Sequence, residues 1–159
     1  METNSTLIPA GEALAAMESV LNRIDPERSE LDAATRLAWM RIARRVRGRI
    51  DALASVLTAE ADRAQAAETA ARTPLASWLG AAETVSRKEA AGAVRRARRL
   101  GQHPAVGQAA VAGRVGPSQA EAITGVLDAL APQLDASQQA RAEQLLIALA
   151  DHLDADQLS

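Results

Sequence analysis

Arginine supplies most of the chemistry that this chain could carry, and its arginines fall into two clusters. Six arginines and no acidic residue occur from Arg36 to Arg49, and a second basic run extends from Arg87 to Arg99. A guanidinium group has five N–H donors and stays charged at physiological pH, so clusters of arginine favour binding to phosphates. Nucleic acid is therefore the first partner to consider.

The charges of the chain are segregated along its length. Residues 1–35 hold two basic and seven acidic side chains, residues 36–114 hold fifteen and six, and residues 115–159 hold one and seven. The three segments thus carry net charges of −5, +9 and −6, although the whole chain carries only −2. The cationic middle suits a polyanion. The acidic ends could instead neutralise it, either within the chain or in a second copy.

Side chains suited to other kinds of chemistry are scarce. The chain has no cysteine, which excludes disulfides, thiolate chemistry and cysteine-ligated zinc. Its two histidines, His103 and His152, have no carboxylate or serine at a spacing typical of a triad, and we expect His103 to be a solvated or dipole-facing imidazole at a helix end. No glycine-rich phosphate loop or HExxH motif is present. We therefore expect a non-catalytic protein without a metal or a small-molecule cofactor.

The composition predicts an all-α fold. Alanine accounts for 38 of the 159 residues, Phe and Tyr are absent, and β-branched residues never alternate as they do in strands. We expect a multi-helix bundle that forms one domain over residues 1–159. No apolar run approaches the roughly twenty residues of a membrane span, and residues 1–4 lack the features of a secretory signal. These features predict a cytoplasmic bacterial protein without a membrane partner.

One long amphipathic helix is predicted at about residues 29–71, with Ser29 as its N-cap. An apolar stripe recurs at intervals of three and four residues, which is the helical period; its members are Trp39, Ile42, Val46, Ile50, Leu53 and Leu57. A helix this long must protrude, break near Gly48 or pair with a second copy. Trp39 and Trp78 are expected to be core anchors, since both lie on apolar stripes.

Shorter helices are predicted over residues 74–153. One follows Thr73-Pro74 and stops near Thr84, and the next begins at Ser86, where Ser86 and Glu89 have the spacing of a capping box. Ser118 and Ser137 are expected to start the last two helices. The leucines expected to be buried in the final helix are Leu145, Leu146, Leu149 and Leu153.

The helices on either side of Thr84-Val85-Ser86 predict a helix-turn-helix-like corner. In such a corner, the first turn of the second helix approaches base edges or phosphates. A purely structural corner between two bundle helices would have the same pattern. From both clusters, the candidates for nucleic-acid contacts are Arg41, Arg44, Arg45, Arg87, Lys88, Arg95, Arg96 and Arg99, with Gly92, Gln102 and Arg114 as additional positions.

Several short motifs between residues 74 and 125 occur together in a known family. They are Trp78-Leu79, Ser86-x-x-Glu89-Ala90, Ala97-Arg98-Arg99-Leu100, Pro104, and Gly113-Arg114-Val115-x-x-Ser118-Gln119-Ala120. In their order and spacing the chain resembles domain of unknown function 222, the N-terminal helical region of the 13E12-repeat, HNH-nuclease-like proteins of actinobacteria. Members often have glycine in the turn before the capping serine, whereas this chain has Thr84-Val85.

The resemblance implies an accessory domain. In longer members an HNH nuclease module follows the helical region, and this chain has no segment of that kind, so no catalytic residue carries over. We expect a helical domain that binds double-stranded DNA, and the chain could be the N-terminal part of a longer protein. The alternative is a protein-interaction or homo-oligomerisation module that associates through the long helix and has no nucleic-acid role.

Overall fold

The structure is a computed structural model that describes residues 8–27 and 29–158, and helices dominate it. The chain divides into two compact units, Met1–Ala38 and Trp39–Ser159. The described part contains eight α-helices and no strand, which confirms the all-α prediction. They are α1 (Ala10–Leu21), α2 (Ala33–Arg63), α3 (Ala66–Ala71), α4 (Leu75–Ala82), α5 (Arg87–Gln102), α6 (Pro104–Val111), α7 (Pro117–Leu130) and α8 (Ala136–Leu149).

The long helix α2 is shorter at both ends than expected. It starts at Ala33 rather than near Ser29, because Asp32 Oδ1 accepts a hydrogen bond from Thr35 N at 2.9 Å and so caps the first turn. It ends at Arg63, just before Gln65, whose φ of 50° is left-handed and incompatible with a continuing helix. The 31 residues run through Gly48 without a break and extend about 46 Å at 1.5 Å per residue.

Small residues bring the second half of α2 close to the helices that follow it. A Cβ added to Gly101 of α5 would lie 2.9 Å from Ala59 Cβ, and one added to Gly48 would lie 3.3 Å from Pro117 Cδ. A Cβ on Gly107 would lie 3.4 Å from Val56 Cγ2. Glycine is therefore needed at the Gly101 crossing, where the chain leaves no room for a methyl group.

The main core lies among α6, α7 and α8. Val106, Ala109, Ile123, Leu127 and Ile147 are buried in it. A smaller cluster joins α3, α4 and α5 through Ala67, Leu75 and Val94. Alanine and valine make up most of the buried residues of the two clusters, and none of them is aromatic.

Two core predictions for the last helix are wrong. Leu145 and Leu149 are 61% and 37% exposed, and Ile147 is the buried residue of α8. The face of α8 that points into the core is therefore not the face that carries Leu145 and Leu149. It is the face that carries Ile147, which packs in the same cluster as the buried residues of α7. Leu146 and Leu153 are partly buried, as part of the shell around the core.

The starts of the last two helices also differ from the prediction. Gly116 is the N-cap of α7, with Pro117 in the first turn, and the side chain of Gln119 reaches back so that its Oε1 accepts from Gly116 N at 2.9 Å. Asp135, rather than Ser137, is the N-cap of α8, and its Oδ1 accepts from Ser137 N and Gln138 N. These amide hydrogen bonds hold the pKa of Asp135 below its usual value.

The turn between α4 and α5 combines a C-cap with an N-cap. Thr84 adopts a left-handed φ of 56°, and Val85 N donates to Gly80 O at 3.2 Å, which is the hydrogen bond of a Schellman motif. Ser86 and Glu89 then form the predicted capping box, which is confirmed in both directions. Thr84 thus occupies a left-handed position that favours glycine.

Both tryptophans are more exposed than expected. Trp39 is 51% exposed and Trp78 is 47% exposed, so the prediction that they are core anchors is wrong. Residues 1–4, from which we inferred that no secretory signal is present, lie outside the described residues. Within the described part, no helix is long and apolar enough to cross a membrane.

Candidate nucleic-acid interface

Most of the predicted contact residues are free to bind a ligand. Seven of the eight are exposed and make no hydrogen bond or ion pair with any residue that the structure describes. On α2 they are Arg41, Arg44 and Arg45, and on α5 they are Arg87, Lys88, Arg95 and Arg96. The additional positions Gln102 and Arg114 are exposed as well, whereas Gly92 is buried.

Arg99 differs from the other candidates because it already has a partner. Its Nε lies 2.8 Å from Asp128 Oδ2, and the other carboxylate oxygen of Asp128 lies 3.0 Å from His103 Nε2. The side chain of His103 is only 16% exposed, so the solvated alternative for this imidazole is wrong. The three residues hold α5 against α7. No sequence pattern pointed to this cluster, because Asp128 lies 25 residues beyond His103 in the chain.

Other arginines of the two clusters also have structural roles. Arg98 donates from Nε and Nη2 to the two carboxylate oxygens of Asp62, at 2.7 Å each. This bidentate hydrogen bond lowers the pKa of Asp62 and raises that of Arg98. Arg49 Nε donates to Val111 O at 2.8 Å, at the last carbonyl groups of α6. Arg47 makes an exposed pair with Asp51 at 3.5 Å.

The guanidinium groups of Arg95 and Arg96 both lie near Gly92, which has no side chain. A Cβ added to Gly92 would lie 3.3 Å from Arg96 Nη1 and 3.8 Å from Arg95 Nη2. The two guanidinium groups therefore lie close together over the same turn of α5, in the direction that long helical side chains take towards the N-terminus. Like charges held this close repel one another, and an anion bound between them would relieve the repulsion.

A shallow groove of about 430 Å³ runs beside Arg96 between α2, α5 and α7. Its polar lining includes Ser55 from α2 and Ser118 and Glu121 from α7. Asp51 also lines it, so the groove contains charges of both signs. At this groove α5 lies next to the second half of α2. The lining does not define a binding site for a particular small molecule.

The acidic C-terminal segment does not neutralise the basic middle of the chain. Among its described residues, Asp128 is the only acid that pairs with an arginine from residues 36–114. Asp135 caps α8, and Glu143 Oε1 accepts from Val106 N at 3.0 Å in the first turn of α6. These carboxylates satisfy helix N-termini instead of arginines.

The free basic residues are distributed over a large distance. Along α5, eight residues separate Arg87 from Arg95, or about 12 Å. A spread of this size suits an extended polyanion better than a single small anion.

No cluster of three or more residues that could hold a metal ion exists within residues 8–27 and 29–158. The protein is thus an all-α domain whose distinguishing surface feature is a set of free arginines on two of its helices. The sequence pattern of the family described as "Domain of unknown function (DUF222)" matches residues 33–159, and the chain belongs to that family. The match omits α1. Comparison with curated proteins and with solved structures finds no further match.

Proposed function

We propose that this protein is a non-catalytic helical domain that binds double-stranded DNA through its phosphate backbone. The observation that carries the proposal is that seven of the eight predicted contact residues are exposed and lack partners among the described residues. The arginines that stabilise the fold, such as Arg49 and Arg98, are different residues. The free ones are therefore available for phosphates.

The positions of Arg87 and Lys88 support the proposal. Both lie in the first turn of α5, where the helix dipole disfavours positive charge. An anion at this helix end would interact favourably with the two side chains and with the dipole. A DNA phosphate is such an anion.

The longer proteins that this chain resembles suggest, by analogy, what DNA binding would be for. In those proteins the helical region precedes an HNH nuclease module, and a DNA-binding domain there would hold the substrate for cleavage. This role places the protein in the bacterial cytoplasm, together with the DNA.

The proposal is tested by fluorescence anisotropy with a labelled duplex at several salt concentrations. The logarithm of the binding constant should fall linearly with the logarithm of the salt concentration, with a slope of about −0.9 per phosphate contact. Arg44→Glu and Arg95→Glu should each weaken binding and make the slope shallower by about one contact.

Arg141→Glu is the matched control. Arg141 is exposed on α8, outside both clusters, and its substitution changes the net charge by the same amount. An equal loss of affinity in all three variants would show that only net charge matters, and no binding even at low salt would refute the proposal.

A further inference from the structure

The exposed apolar surface of the described chain is concentrated near its N-terminal end. Ten of its thirteen exposed large hydrophobic residues lie between Ile8 and Val46. No residue of α1 is buried, and the only buried residue of α2 is Ala59, in its second half. Exposed apolar faces of helices mark interaction surfaces, since exposed apolar area is costly in water.

The exposed residues form a stripe on each of two helices. On α1, Leu14 and Leu21 are exposed, and Met17 lies between them. On α2, Trp39, Ile42 and Val46 are exposed at the same spacing. Residues at i, i+3 and i+7 lie on one face of a helix, which is the pattern by which two helices pack along their lengths.

The charges beside the two stripes are opposite in sign. Glu18 flanks the stripe of α1, whereas Glu12 lies on the opposite side of this helix, and α1 contains no basic residue. The first half of α2, to Arg49, contains arginines and no acidic residue. Packing α2 against α2 would place arginines together, and packing α1 against α1 would place glutamates together. Only α1 against α2 brings opposite charges into contact.

We propose that a second copy of this chain covers these stripes, with α1 of each copy packed on the first half of α2 of the other. The contact occurs twice around a twofold axis, so both stripes of both copies are buried and no stripe remains to recruit a third copy. The dimer does not depend on DNA binding. Arg41 and Arg44 lie on the side of α2 opposite Trp39 and Val46 and remain available in it.

Sedimentation velocity on the full chain, over about 1 to 200 µM, tests the association. We expect a reversible change from the 16.7 kDa monomer to a dimer of twice that mass. Leu21→Glu and Ile42→Glu should each weaken the dimer about tenfold or more, because each places a charge in an apolar contact. Both residues are exposed in the single chain, so circular dichroism should show an unchanged helix content.

Leu145→Glu is the control, since Leu145 is an equally exposed leucine on α8. It should leave the dimer unchanged. A charge reversal at Glu18→Arg should also weaken the dimer, but less than Leu21→Glu does, since rim charges contribute less than buried contacts.

A mixing experiment distinguishes the exchanged arrangement from other dimers. In the Leu21→Glu homodimer and in the Ile42→Glu homodimer, both α1–α2 contacts contain a glutamate. In a mixed dimer of the two variants, one contact contains both glutamates and the other contains neither. Mixing the two variants at equal concentration should therefore restore association in part.

Three outcomes would overturn the proposal. They are a monomer at all concentrations, a dimer that neither variant weakens, and a dimer that Ile42→Glu weakens but Leu21→Glu does not. The last result would indicate α2–α2 pairing. Loss of DNA binding with the dimer intact would refute only the proposed function.

Discussion

Arg98 binds both carboxylate oxygens of Asp62 and thereby ties α5 to α2 across 36 residues of the chain. The hydrogen bond holds the pKa of Asp62 below its usual value. A group with a lowered pKa in the folded state stabilises the fold fully above its unfolded pKa, about 3.9 for aspartate. This stabilisation is lost as the pH falls through the lower pKa of the folded state.

We therefore expect Asp62→Asn to lower the urea midpoint at pH 7, and the difference from the natural protein should shrink below about pH 3.9. Urea denaturation of both proteins at a series of pH values measures this difference in midpoint. Asp51→Asn is the control, because the pair of Asp51 with Arg47 is long and exposed and should contribute little. A difference for Asp62→Asn that is independent of pH would contradict the assignment.

The crossing of α2 and α5 at Gly101 should not tolerate a larger residue. Gly101→Ala would place its Cβ 2.9 Å from Ala59 Cβ. We expect it to destabilise the fold by about 1 to 3 kcal/mol through overpacking. Gly125→Ala in α7 is the control, since a Cβ there meets nothing within 4 Å. That substitution should stabilise by about 0.5 to 1 kcal/mol, and equal effects at both sites in thermal unfolding would refute the close approach.

The left-handed Thr84 makes the turn before α5 less stable than a glycine would. A β-branched residue at positive φ costs about 1 to 2 kcal/mol. We expect Thr84→Gly to recover about 1 kcal/mol of the free energy of unfolding, measured by chemical denaturation. Thr69→Gly in α3 has a right-handed helical backbone and should destabilise instead. Destabilisation by both substitutions would show that Thr84 is not strained.

The pairing of Asp128 with Arg99 removes one positive charge from the candidate interface. If the proposed function holds, Asp128→Asn should free Arg99 and steepen the salt dependence of DNA binding by about one phosphate contact. It should also lower the melting temperature, because His103 loses the same partner. Arg99→Ala should leave the salt dependence unchanged, and a shallower slope would instead mean that Arg99 contacts DNA.

The sequence predicted those features that depend on neighbouring residues. The capping box of Ser86 and Glu89 is confirmed because both partners lie within one helical turn. The buried face of α5, with Ala90, Val94 and Ala97, follows from its period. The family membership, which is confirmed, is likewise visible in the sequence because the motifs are short and keep their order in the chain.

Features that depend on distant residues were not predicted. Leu145 and Ile147 both belong to apolar patterns of α8, and only the space beside α7 selects Ile147 for the core. Trp39 lies on a clear apolar stripe, but the stripe is covered only in its second half.

The sequence by itself determined that this protein is helical, that a helix begins at the capping box of Ser86 and Glu89, and that its arginines are clustered. Helix formation and capping depend on interactions within a few residues, which the order of residues specifies directly. The tertiary structure alone decided which arginines pair with carboxylates. Asp62 and Asp128 reach Arg98 and Arg99 across 36 and 29 residues, and no local pattern specifies such a pairing.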